Sequence, residues 1–398
     1  MTTVLTGATI VLPDRLLESG TLVIEGGRIA DVRPGTVARG GSGDWMDLTG
    51  HLIVPGFIDV HVHGVEGKDT LASADAVAEM ARRLPRYGVT GFCPTTVACG
   101  PAELRALLDA IRAARSAPVP GHARVLPAHM ESNFINPDFR GAQPLTCLRL
   151  ATTEKLPAPP PGADFSGQDI LDEIDRARSE VAIITMAPEM PGGIDLVRHF
   201  TRNGHIVSIG HTAATFEQGL EGFEAGARHA THLFNRMTPL SHRAPGLVGA
   251  IFSRPDVRAE IVCDGYHVHP VVVRAAIAAL GRDRAMAITD ATAGAGLPVG
   301  SVVPLGSHTI TVKQEAAFLP DGTLAGSRWT MDGAFRVLTE KVGVSVLDAA
   351  HMCATTPARQ LGLENRGAIV PGYAADLAVL DGAYQVKATF VDGVRWTA

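Results

Sequence analysis

The hydrophobic positions of this chain change rhythm twice. Over the first fifty residues they alternate with polar ones in short stretches, Thr3–Val11, Thr21–Glu25 and Arg28–Val32. The Gly26-Gly27 pair between the last two is a hairpin turn signal. The last thirty residues repeat the pattern in Ala375–Leu380, Val386–Val391 and Val394–Trp396, with Asp392-Gly393 as a second tight turn. Neither end is long enough to form a good core alone. Together they predict one small β-sandwich domain, residues 1–54 plus 361–398, into which the rest of the chain is inserted.

The middle has a longer period. Eight β-branched, apolar runs stand out: Phe57–His63, Val89–Thr95, Arg124–Glu131, Val181–Glu189, Ile206–His211, His229–Phe234, Ala259–His267 and Ala285–Asp290. Stretches with apolar spacing of three and four separate most of them, namely Ala74–Arg86, Pro101–Arg115, Gln168–Arg178, Gly193–Arg202, Thr215–Ala225 and Val271–Ala279. Strand alternating with helix predicts a parallel sheet, and eight such units predict an α/β fold, a closed (β/α)8 TIM barrel over residues 55–360. The proline-rich Leu156–Gly162 predicts a surface loop.

Composition narrows the function. Hydrophobic residues are 46% and charged residues 19% of 398, which supplies a large core and excludes a disordered chain. With 35 Lys and Arg against 41 Asp and Glu the formal charge is −6, the wrong sign for a nucleic-acid partner. No apolar run reaches the roughly 18 residues of a membrane helix. The N-terminus lacks the basic start and apolar block of a signal peptide. Five scattered cysteines with no CxxC pair disfavour both a disulfide framework and a thiolate zinc site, and predict a cytoplasmic protein.

Histidine is the outlier, at fifteen. Several close the predicted strands: His61 and His63 the first, His211 the fifth, His267 the seventh, while His232 lies in the sixth. Glu131 ends the third and Asp290 the eighth. In a parallel barrel those ends share the face where barrel active sites lie. Strand alternation turns His61 and His63 to one side, and two imidazoles so placed suit a divalent transition metal. Glu131, His211 and His232 offer two nitrogens and one carboxylate, the open set of a catalytic zinc site. Asp290 has the chemistry of a general base for a metal-bound water.

Taken in order, the segments VPGFIDVHVHG, LPAHMESNFINP, SIGHTAATF, ATHLFNRM, HRAPGLVGAI, DGYHV, ITDATAGAG and AGSRWTM resemble the N-acetylglucosamine-6-phosphate deacetylase family of the amidohydrolase superfamily. The resemblance spans essentially the whole chain. It implies metal-dependent hydrolysis of the N-acetyl amide of N-acetylglucosamine 6-phosphate to glucosamine 6-phosphate and acetate. It further implies one or two divalent ions per chain, zinc first, and a homodimer helped by the long connection Asn235–Gly249. The family's metal ligands match Glu131, His211 and His232, and its acid/base aspartate matches Asp290. Its sugar-phosphate contacts match Asn235 and Arg236 through backbone groups, Arg243, His267 and the Trp329-Thr330-Met331 turn. His61 and His63 match a second metal position that only some members keep.

Two departures from the family bear on the acyl group and the sugar. Glu131 is followed by Ser132-Asn133 where the family has Gly-Pro. Ala142 is followed by Gln143, where the family has a substrate-contacting histidine; Gln143 is then the candidate oxyanion donor. Two other readings use the same residues: an amidohydrolase that deacylates another N-acyl amino sugar or an N-acyl amino acid, and a catalytically inactive barrel acting as a scaffold. Bound metal together with acetate release separates enzyme from scaffold.

Overall fold

The computed structural model describes residues 2–38, 40, 43–150 and 164–397; the Leu156–Gly162 loop lies outside them. All eight barrel strands form. They are β1 (Phe57–Val62), β2 (Val89–Thr96), β3 (Ala128–Glu131), β4 (Val181–Met186), β5 (Ile206–Ile209), β6 (His229–Ala230), β7 (Arg258–Val262) and β8 (Ala285–Ile288). Each pairs in parallel with the next, from β1·β2 round to β7·β8. A parallel bridge between Val62 and Ala291 brings β8 back to β1, where the Asp290 amide donates to the His61 carbonyl at 3.0 Å.

A helix follows every strand: α1 (Ala76–Arg83), α2 (Pro101–Ser116), α3 (Gly167–Arg176), α4 (Gly193–Arg202), α5 (Phe216–Ala225), α6 (Gly246–Ser253), α7 (Pro270–Leu280) and α8 (Met331–Arg336). Their apolar faces cover the barrel, with Leu104, Leu108, Ile170, Leu196 and Phe200 all buried. Local chemistry starts several of them. Ser166 opens α3 and Thr215 opens α5, each with a capping box to the residue three on.

The strands stop earlier than their hydrophobic runs. β4 ends at Met186, β6 at Ala230 and β7 at Val262. The cause is local in two of the functional segments: His211 and His232 turn into the left-handed region at φ 49° and 28°. Asp290, just past β8, does the same at φ 48°. Side chains rarely tolerate that region, so the surrounding fold holds three strand-end residues in a costly conformation.

Both termini build one mixed sheet. Its order runs Val394–Arg395, Val386–Val391, Leu377–Leu380, Leu52–Pro55, Thr2–Val11, Leu16–Glu25, Arg28–Pro34, with Asp44–Asp47 also on Thr2–Val11. The two predicted turns each place consecutive residues at positive φ, Gly26 and Gly27 at 56° and 79°, Asp392 and Gly393 at 46° and 74°. The outer hairpins meet through an Arg28–Ala374 bridge and an Ala375 amide bond to the Gly27 carbonyl, 2.9 Å. The sheet thus folds over a core of its own, with Leu5, Ile10, Leu22, Ile53, Leu377 and Phe390.

The largest sheet without a counterpart in the sequence reading sits beside the barrel. Between β8 and α8 lies a three-stranded antiparallel sheet, Val302–Leu305, His308–Val312 and Ala317–Phe318. Its Val303, Leu305, Ile310 and Ala317 pack on Val97 and Ala293 beside the barrel mouth.

Candidate active site

At the carboxyl ends of the strands lies a cavity of about 460 Å³. On its wall Glu131 is the focus. Its Oε1 lies 2.8 Å from His211 Nε2 and 2.9 Å from His232 Nε2, and the two nitrogens are 3.0 Å apart. His61 and His63 meet on the other side, Nε2 to Nε2 at 3.2 Å. They stand 3.8 and 3.6 Å from Glu131 and 3.5 and 3.3 Å from Asp290 Oδ1. Two adjacent ligand groups result, Glu131 with His211 and His232, and His61 with His63 and Asp290. All six residues are buried.

The donor chemistry fits divalent ions. His211 Nδ1 lies 2.8 Å from the Phe139 carbonyl and His61 Nδ1 lies 2.9 Å from Glu260 Oε2. Those acceptors place the ring protons on Nδ1, so in the neutral rings the bare Nε2 lone pairs of His211 and His61 face the Glu131 carboxylate at 2.8 and 3.8 Å. A cation resolves that repulsion.

Charge in this buried pocket is mutually balanced. Burial pushes Glu131 up, but the histidines around it, His211 foremost, hold its carboxyl well below the usual range. Burial likewise opposes ionisation of Asp290, and His61 and His63 outweigh it, leaving a carboxylate able to accept a proton. Burial disfavours the His61 cation, yet Glu260 and Asp290 raise its pKa to about 10.

Behind the candidate metal ligands lies a layer that sequence reasoning missed. Glu260, fully buried on β7, takes His61 Nδ1–H on one oxygen and faces His229 Nε2 at 2.9 Å with the other; it also accepts the His232 amide at 3.2 Å. His129 bridges the Val60 carbonyl and Thr185 Oγ1, and burial lowers its pKa to about 3, so it stays neutral. Thr289 donates to the buried Asp59 at 2.5 Å and steadies the chain ahead of Asp290. Glu260 left a signal: a parallel strand covered on both faces hides no unpaired glutamate.

The expected substrate residues divide. Ala142, Gln143, Asn235, Arg236 and His267 line the cavity. Gln143 is locked at both ends: its Oε1 accepts the Ala98 amide at 2.7 Å, and its Nε2 donates to Glu131 Oε2. The departing Ser132 and Asn133 serve the same loop. Ser132 donates to the Thr185 carbonyl, and Asn133 Nδ2 donates to the carbonyls of Cys99 and Cys147, both at 2.7 Å. His267 Nδ1 is 2.6 Å from Asp264 Oδ2, which leaves Nε2 as its free nitrogen.

Arg243, by contrast, is exposed and off the cavity wall. The Trp329-Thr330-Met331 turn is off the wall too: Met331 is buried in the barrel core, and Thr330 donates to Asp332 at the start of α8. Asp138, Phe139, Phe234 and Thr292 line the cavity without having been singled out, as do Leu305 and Leu324 from the inserted sheet region.

A model of the amidohydrolase family matches residues 52–395. An N-acetylglucosamine-6-phosphate deacetylase of Bacillus subtilis (strain 168) is 32% identical over 389 residues, 96% of this chain and 94% of the relative. An N-acetylgalactosamine-6-phosphate deacetylase of Escherichia coli O157:H7 is 31% identical over 395 residues, 99% of each. Among solved structures, a mutant of the Mycobacterium smegmatis N-acetyl-D-glucosamine-6-phosphate deacetylase in complex with N-acetyl-D-glucosamine-6-phosphate is similar at a TM-score of 0.88 and 29% identity, both chains covered in full. The Pasteurella multocida N-acetylglucosamine-6-phosphate deacetylase gives 0.89 and 26%, again over both whole chains.

Proposed function

The chain belongs to the amidohydrolase family, and from that premise we propose how this site carries out the deacetylation of N-acetylglucosamine 6-phosphate. The enzyme hydrolyses the N-acetyl amide and releases glucosamine 6-phosphate and acetate. The observation that carries the reading is the convergence of Glu131, His211, His232 and Asp290 from four strand ends on one cavity.

The roles follow from the geometry. Glu131, His211 and His232 hold a divalent ion, and zinc suits a set of two nitrogens and one oxygen. His61 and His63 hold a second ion with Asp290 beside them. Bound there, the metal would polarise the acetyl carbonyl and acidify a water molecule. Asp290, ionised and within reach of both groups, takes the proton of the attacking water and returns it to the departing amine nitrogen. Gln143 keeps one N–H beyond the bond to Glu131, and that donor serves the developing oxyanion. His267, with Asn235 and Arg236, binds the sugar phosphate end and supplies binding energy remote from the reacting bond.

The protein works as a cytoplasmic homodimer in this reading. Its five cysteines are free, which suits a reducing compartment. The segment Asn235–Gly249 carries Leu240, 54% exposed, and Arg243, exposed and off its own cavity's wall; a dimer contact there gives both a use.

The experiment is acetate release from N-acetylglucosamine 6-phosphate, N-acetylgalactosamine 6-phosphate and both unphosphorylated sugars. Highest kcat/KM on the first compound is the expected result. Preference for the galactose epimer would move the substrate to that relative's sugar, and preference for an unphosphorylated sugar would overturn the phosphate reading.

A further inference from the structure

We propose that the guanidinium of Arg236 binds the substrate phosphate from within its own chain, a side-chain role beyond the backbone contact expected at this position. The inference rests on the phosphorylated substrate assigned above.

Charge around the cavity isolates this residue. Three lining residues are carboxylates, Glu131, Asp138 and Asp290. Arg236 is the one lysine or arginine among the described residues that line it. His267 Nδ1 is already taken up by the Asp264 carboxylate at 2.6 Å. Glu131 and Asp290 are committed to the histidine cluster and its metal. Asp138 stands exposed at the opening. A phosphate monoester carrying about −1.5 to −2 charges would therefore meet a single uncommitted permanent cation here.

Arg236 is uncommitted in a stricter sense. Its side chain makes no hydrogen bond or ion pair among the described residues, whereas Arg228 and Arg254 both pair with Asp256. Its backbone is fixed: φ is 51°, and its carbonyl accepts the Thr212 amide at 3.0 Å. The stem runs past Gly141. A Cβ on that glycine would come within 3.0 Å of Arg236 Nε and 3.5 Å of Cγ and Cδ. Gly141 is itself at φ 58°. Glycine there gives the arginine room to lie along the wall, with a planar fork of donors suited to a phosphate. Arg243 cannot play this part in its own chain, because it stands off the wall.

The test uses metal-loaded, full-length enzyme and two variants, Arg236→Gln and Arg236→Lys. Three quantities are read: kcat/KM on N-acetylglucosamine 6-phosphate, kcat/KM on N-acetylglucosamine, and inhibition by inorganic phosphate. A charge-assisted bond of this type corresponds to about 10- to 150-fold. Arg236→Gln should reduce the preference for the phosphorylated sugar by that factor, chiefly through KM, and weaken phosphate inhibition alongside. Arg236→Lys, which keeps the charge and loses the fork, should recover part of both. Equal losses on the two sugars, or unchanged phosphate inhibition in Arg236→Gln, overturns the assignment. The functional reading fails in a different way: wild-type enzyme would then show no preference for the phosphorylated sugar and no inhibition by phosphate.

Discussion

Glu260 and His61 are joined by a 2.9 Å hydrogen bond in a part of the barrel where neither side chain has any exposed surface. That bond decides which ring nitrogen of His61 carries the proton and which faces the cavity. The same carboxylate accepts the backbone amide of His232 and faces His229. One residue on β7 therefore aims the candidate ligand His61 on β1 and the chain around His232 after β6. Glu260→Gln keeps the volume but swaps an acceptor for an amide that also donates. We expect metal affinity to fall about 10- to 100-fold, as for other partners of metal-ligating histidines. Competition with a chromophoric chelator measures it, and unchanged affinity would mean that packing alone orients His61.

How much of this was readable beforehand depended on whether a residue's role is set by its own strand. The eight strands show because β-branched runs repeat, and their last polar residues point to the site. α6 does not show: GLVGAIFS has no polar face, since it is buried almost throughout, so no amphipathic period marks it. The inserted sheet is three strands of five residues or fewer, too short to stand out. Glu260 hides inside an apolar run. Arg243 reads as a substrate contact from its motif, and only the folded chain shows that it is not among the residues lining its own cavity.

Asp290→Asn tests the proton path. The side chains are nearly isosteric, and Asp290 is held by backbone bonds from its amide to His61 and from the Ser327 amide to its carbonyl. Fold and tight metal binding at Glu131, His211 and His232 should survive. Turnover should drop at least about 10²-fold, because one carboxylate serves both proton transfers. Near-normal kcat would assign them to another group.

Removing either histidine beside Glu131 should be more drastic. His211→Ala and His232→Ala each take away one of three donors that lie within 3.0 Å of one another. Metal content and activity should vanish together in elemental analysis and acetate release. Zinc-saturated wild type should hold more than one equivalent, and His61→Ala with His63→Ala should lower that number. A stoichiometry of one that the double variant leaves unchanged would make this histidine pair structural.

The metal-free protein should be sensitive to alkali. His61 is raised from an ordinary 6.5 to about 10 in the fold. A cation favoured by the native state stabilises it fully below the lower value, and that contribution is lost as pH rises toward the higher one. The melting temperature of chelator-treated enzyme should fall between those two values. Metal replaces the proton, so loaded enzyme should show a flatter profile and metal uptake at pH 7 should release protons. Calorimetry in buffers of different ionisation heat reads the release directly; identical heats in every buffer would contradict it.

Gln143 offers the sharpest distinction between a positioning role and a bystander. The Ala98 amide fixes its carbonyl end, so its NH2 must face Glu131 and cannot flip away. That bond occupies Oε2 and leaves Oε1 to His211 and His232. Gln143→Leu fills a similar space but releases Oε2 and strands a buried N–H, a loss of about 1–3 kcal/mol of stability. Gln143→Glu places a second carboxylate against Glu131, where like charges repel. Metal affinity should therefore rank wild type above Leu and Leu above Glu, by chelator competition at pH 7. Tighter binding in Gln143→Glu would reverse the assignment: position 143 would then reach the ion itself, and Glu131 would owe its orientation to the two histidines alone.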